Sequence, residues 1–155
     1  MKSTSGPASS AARASSRNSH LLPDVLAPGL DLVFCGTAPS PVSFKARAYY
    51  ANPGNAFWPT LHAVGLTPER LAPERFPELL AHGLGLTDLN KTEYGSDHEL
   101  SADAMDAASL HAKLRRFRPA AIAFTVNEWN LAVSNATTKR ASVSMITRCG
   151  ESRNL

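Results

Sequence analysis

At 155 residues, with 43% hydrophobic and 19% charged side chains, the chain has the size and balance of one globular domain with a core of its own. It shows no apolar run near the ~20 residues a membrane-spanning helix needs, and no apolar secretory stretch at its start. The formal net charge of +3 is carried by the ends: residues 21–125 hold nine Lys/Arg against eleven Asp/Glu, so charge alone does not mark a nucleic-acid-binding domain.

Residues 1–20 are Ser/Ala-rich without hydrophobic periodicity and are expected to be a disordered tail. Leu30–Cys35, continuously apolar after Asp31, is suited to a parallel strand covered on both faces. A loop rich in Gly, Pro and Ser follows, then Tyr49-Tyr50 and the turn Asn52-Pro53-Gly54-Asn55. Asn55 is placed to cap a helix with Phe57, Trp58, Leu61 and Val64 on one side and Gly65 as its stop. Thr67-Pro68 restarts a short turn, and Pro73–His82 reads as a helix ended by Gly83. Leu84–Leu89 is a second strand. Ser101 is placed to cap a helix with the stripe Ala104, Ala107, Leu110, Leu114 and Phe117. Pro119 breaks that helix before a third buried strand, Ala120–Phe124. The order β-α-β-α-β predicts an α/β fold: a short parallel sheet in a three-layer α/β/α sandwich, with right-handed crossovers.

After Val126 the character changes. Eleven of the last thirty residues are Ser, Thr or Asn, and no Pro follows Pro119. Ala141–Thr147 is a candidate strand, but the segment gives no clear helix–strand unit. Residues 126–155 are therefore set apart as a divergent C-terminal segment. Cys35 and Cys149 are the only cysteines, and no C-x-x-C is present. A disulfide framework, a zinc site and a four-cysteine iron–sulfur cluster are all disfavoured, and no metal or cofactor is expected.

The words around the first strand are specific. Val33-Phe34-Cys35-Gly36, Pro39, Tyr50, Pro53, Asn55 and Phe57-Trp58 resemble the mismatch-specific uracil/thymine-DNA glycosylases of the uracil-DNA glycosylase superfamily. There a V-F-C-G strand end leads into a G-I-N-P-G loop, an aromatic residue and P-x-N-x-F-W. Leu26-Ala27-Pro28-Gly29-Leu30 is similar to the family's entry segment, and the resemblance runs from about Leu22 to Thr125. It implies a monomer that excises uracil or a mismatched base from double-stranded DNA in base-excision repair. It also implies a cytoplasmic, bacterial-type, nucleoid-associated setting.

Such chemistry extrudes the base at a cost of a few kcal/mol, grips it, and manages charge as the sugar becomes cationic. By position Tyr50 matches the base-stacking aromatic, although it could instead pack on the core beside Tyr49. Backbone amides of Gly36, Thr37, Ala38, Pro39 and Ser40, together with the Asn52–Asn55 turn, form the candidate base-binding loops. Pro39 contributes shape rather than an N–H. Where the family places a water-positioning Asn, this chain has Ala38, whose methyl group cannot orient water. Asp88, at the carboxyl end of the second strand, is the candidate substitute, with Thr37 and Asn52 weaker candidates. A carboxylate capping the next loop or paired with Lys91 is the competing reading of Asp88. Lys45, Arg47 and Lys91 are candidate phosphate contacts, against a reading as solvated charges.

The family's N-P-S-G-like loop after the last strand, which enters the duplex, has no counterpart in this sequence. A truncated or frame-shifted C-terminus is one expectation from that loss. Two further readings stand beside the glycosylase: a non-catalytic relative that at most binds DNA, and a nucleotide-binding α/β module. The last is disfavoured because neither G-x-G-x-x-G nor a P-loop occurs.

Overall fold

The computed structural model describes residues 20–125 and the strand at 144–148. The expected disordered tail and most of the divergent C-terminal segment lie outside the described residues. Three strands, β1 (Leu32–Gly36), β2 (Leu84–Asp88) and β3 (Ala121–Phe124), are parallel, with β1 paired to both others. A fourth, β4 (Ser144–Arg148), runs antiparallel to β3, giving the order β2-β1-β3-β4. The candidate strand Ala141–Thr147 overlaps it, but its antiparallel direction was not anticipated.

Strand alternation distributes the core to both faces. Phe34, Leu84, Leu86 and Ala123 join Tyr49, Trp58, Leu61, Phe76 and Leu79 in the larger cluster. Cys35 and Ile122 point the other way, to Leu110 and the partly buried Leu114 of α3 (Ala107–Phe117). The short parallel sheet between helical layers is the α/β arrangement expected.

Several helix boundaries differ from the reading of the sequence. The loop after β1 contains a helix of its own, α1 (Pro41–Ala46). The Ser40 side chain accepts from the Ser43 N–H at 3.1 Å, and Pro41 supplies a ready-made first helical residue. Helix α2 (Phe57–Ala63) begins where expected, but its N-cap is Ala56, without a side-chain cap; Asn55 stands one residue earlier, its Oδ1 accepting from the Phe57 N–H at 2.8 Å. The helix buries Trp58 and Leu61 but leaves Val64 63% exposed, because it ends before Val64. Thr67-Pro68 forms a bend in which the Thr67 hydroxyl donates to the Glu69 carbonyl, not a helical restart. Pro73–His82 is 3₁₀-helical, with Pro77 inside it; proline lacks the N–H that the ladder needs there. Ser101 leads only a short 3₁₀ turn, Ala102–Ala104, and α3 is capped by Asp106 through the Ser109 N–H at 2.8 Å. Asp106 accepts more strongly than a serine hydroxyl and lies next to the first helical residue.

The entry segment fastens to the outer rim of β2. Val25 and Leu86 exchange two backbone hydrogen bonds of 2.9 Å. Gly85 lies beside this bridge: a Cβ there would come within 2.6 Å of the Val25 carbonyl oxygen.

Candidate functional site

Because β1 connects over one side to β2 and the chain then returns to β3 on the other, the carboxyl ends of the strands open onto a crevice. Open α/β sheets bind ligands at such a reversal of strand order. The cavity there has a volume of about 810 Å³. Gly36, Thr37, Ala38, Pro39 and Ser40 line it from β1 and its loop, Tyr50 and Asn55 from the following turns, and Asp88 from β2. Eight residues singled out in the sequence are thus brought together.

Beyond the Ser40 cap, the loop is held by backbone bonds. The Gly36 carbonyl accepts from Leu89 N–H at 2.9 Å, and the Thr37 carbonyl accepts from Asn90 N–H at 2.8 Å. The Pro39 carbonyl accepts from Gly95 N–H at 3.0 Å, tying the loop to the opposite wall. Gly36 has no room for a side chain: its Cβ would lie 2.5 Å from Asp88 Oδ1 and 3.4 Å from the Tyr50 hydroxyl. Glycine is what lets those two groups approach the strand end.

Asp88 is 5% exposed, and its Oδ2 has no hydrogen-bond partner among the described residues. Thr37, 4% exposed, has its hydroxyl in the same condition. Asp97 Oδ2, in the same cavity lining, also lacks a partner among the described residues. Buried polar atoms are normally paired, so three orphans in one cavity are unusual. Burial pushes the Asp88 carboxyl up to about 6, with Asp24 adding to the rise while Lys91 and Lys113 oppose it. Neither competing reading of Asp88 is what the structure contains. Its side chain caps no loop, a task done by Asn90 Oδ1 on the Thr92 and Glu93 N–H groups, and Lys91 pairs with Asp24 instead.

Tyr50 has a positive φ of 53°, rare for a residue with a side chain. Its ring stacks on Phe57 with centroids 3.9 Å apart and planes at 23°. Its hydroxyl lies 2.6 Å from Thr125 Oγ1. Burial raises its phenol well above the ordinary range, so it remains protonated. Tyr49, by contrast, is a core residue whose hydroxyl donates to the Pro23 carbonyl and accepts from Lys91.

Four sequence candidates stand elsewhere. Asn52 is exposed and lines a neighbouring groove of about 380 Å³, reached from the other side of Tyr50. Lys45 and Arg47 are exposed on and just after α1, in keeping with a surface contact. Lys91 is not at the surface: its amine is buried, 2.9 Å from Asp24 and 3.1 Å from the Tyr49 hydroxyl, and so is withheld from any phosphate. Asp24 also binds Lys113 at 2.7 Å, and the two cations hold its carboxyl below the usual range although burial opposes this.

The structure adds residues to the cavity that the sequence reading passed over. Thr125 lies one residue beyond β3, level with Gly36 and Asp88 in the sheet. The common position at strand ends was a usable signal for it. Ser96, Asp97 and His98 come from a wall between β2 and α3, where the S-x-x-E word Ser96–Glu99 forms a capping box and was a usable signal for an ordered turn. Among the described residues, no group of three or more His, Cys, Asp or Glu is placed to hold a metal ion. No helix among them is long and apolar enough to cross a membrane.

Residues 23–145 match the family described as the Uracil DNA glycosylase superfamily. The match extends past Thr125, where the resemblance in individual motifs ends.

Proposed function

The chain belongs to the uracil-DNA glycosylase superfamily, whose members are DNA glycosylases, and we propose that it is a monofunctional enzyme of the mismatch-specific type. Its substrate in this reading is uracil, or a mismatched or deaminated base, in double-stranded DNA. The observation that carries the reading is Asp88: a buried carboxyl with one unpartnered oxygen in the cavity and an ionisation near neutrality.

The extruded base lies against Tyr50, whose stacking returns about 1–3 kcal/mol toward extrusion. Amide donors of the loop after β1 meet the base oxygens, where negative charge grows as the base departs. The Asp88 carboxylate orients a water toward the sugar C1′ and offsets the positive charge developing there. The C1′–N bond breaks with its electron pair leaving on the base. The water oxygen bonds C1′, and its proton passes to Asp88. Ala38 makes a second group necessary, because a methyl cannot take this part. Lys45 and Arg47 meet the phosphates from the rim.

Single-turnover excision from a uracil-containing duplex tests this. Asp88→Asn keeps the shape but loses the charge, and should slow release about 10²-fold with DNA affinity little changed. An unchanged rate in a normally folded variant would make Asp88 structural. If the parent chain releases no base while still binding duplex, the non-catalytic reading, which Ala38 favours, replaces this one.

A further inference from the structure

We propose that Thr125 is the positioning residue for Tyr50, holding its ring in place for the base. The assignment rests on Tyr50 being the surface that receives the extruded base. Tyr50 sits in a left-handed backbone conformation, which persists in a residue with a side chain only when its surroundings over-determine it. Phe57 fixes the plane of the ring from one face, but stacking leaves it free to slide. Among the described residues, the one hydrogen-bond partner of the Tyr50 hydroxyl is Thr125, 75 positions away in sequence and delivered by a different strand.

The polarity of the link follows from its far end. Thr125 Oγ1 also lies 3.4 Å from the Cys35 carbonyl oxygen, which can only accept. The proton order is therefore Tyr50 O–H to Thr125, and Thr125 O–H to Cys35. The ring is tied through Thr125 to the central strand that also presents Gly36. Tyr50 is left with acceptor lone pairs and no free proton, so it does not compete with the loop amides for the base oxygens. Asp88 Oδ1 and the Tyr50 hydroxyl both border the space a Gly36 Cβ would take, so a ring that drifts would disturb the carboxylate as well.

The test compares Thr125→Val, Thr125→Ser and Tyr50→Phe with the parent. Binding is measured to a duplex with 2′-fluorinated deoxyuridine, which resists cleavage, and to undamaged duplex. A net hydrogen bond of ordinary strength predicts about a fivefold loss of preference for the uracil duplex in Thr125→Val. Thr125→Ser should recover it to within about twofold, and Tyr50→Phe should match Thr125→Val with no further loss in the double variant. Exchange of the Tyr50 hydroxyl proton with water, followed by NMR on labelled protein, supplies a readout independent of DNA: slow in the parent and Thr125→Ser, fast in Thr125→Val. If the parent shows no preference for uracil, the glycosylase reading fails and the hydroxyl exchange rates alone decide the role of Thr125. A Thr125→Ser variant that behaves like Thr125→Val, or a Thr125→Val variant that changes neither readout, overturns the proposal. Should Thr125→Val not fold, Tyr50→Phe and Thr125→Ser carry the comparison.

Discussion

The Asp88 carboxyl binds its proton more tightly in the folded chain than in the unfolded one, because burial penalises the ion more than Lys91 and Lys113 relieve it. Acidification from about 6 toward the ordinary value of 3.8 therefore stabilises the fold through this group. Above about pH 6 that contribution is gone and the buried charge is a burden. Asp88→Asn should raise stability at pH 8 by on the order of 2 kcal/mol, a gain that shrinks to nothing near pH 4. Denaturant melts at the two pH values check the sign. Excision should move oppositely, rising through an apparent pKa of about 6 in the parent as the carboxylate forms, with that limb missing from the Asn variant. A residue that weakens the fold where it works best is a common arrangement at functional sites. Tyr50 shows it too, in backbone strain rather than in charge.

Among the elements, the two strands that frame Asp88 have the least slack. Gly85 meets the Val25 carbonyl on one side, and a Cβ would also come within 2.7 Å of Leu30 and 3.1 Å of Val33. Gly85→Ala should cost about 1–3 kcal/mol, read as a lower denaturant midpoint with an unchanged slope. β1 and β3 were readable as apolar runs and β2 as a short segment after the Gly83 helix stop, and the helices between them implied a parallel sheet without fixing the strand order. Asp88 and Gly36 were legible as strand ends for the same reason. What stayed hidden depended on competition between neighbours. Ser101 and Asp106 both offer a cap, and the carboxylate of Asp106, the stronger acceptor, starts α3 where Leu110 packs on Cys35 and Ile122. Ser40 looked like part of a binding loop and also caps α1. Lys91 looked like a surface cation, since nothing local reveals Asp24, 67 positions earlier, as its partner.

At the scale of the whole molecule, charge and edges govern how the domain meets other surfaces. Residues 21–125 carry more acid than base, and two of their lysines are spent on Asp24. Few cations remain near the cavity to displace counterions from DNA. Lys45→Ala and Arg47→Ala should each flatten the log–log salt dependence of duplex binding by about 0.9, while Lys91→Met should leave that slope alone and lower stability instead. Titrations across a salt series check it. The edges matter in another way. Among the described strands β2 is the outermost on its side, and the Val25–Leu86 bridge occupies its outward amide and carbonyl groups at Leu86. The entry segment is thus a guard against self-association: with it peeled away, one copy of the domain would offer its bare rim to the next, and strand-by-strand polymerisation would compete with refolding.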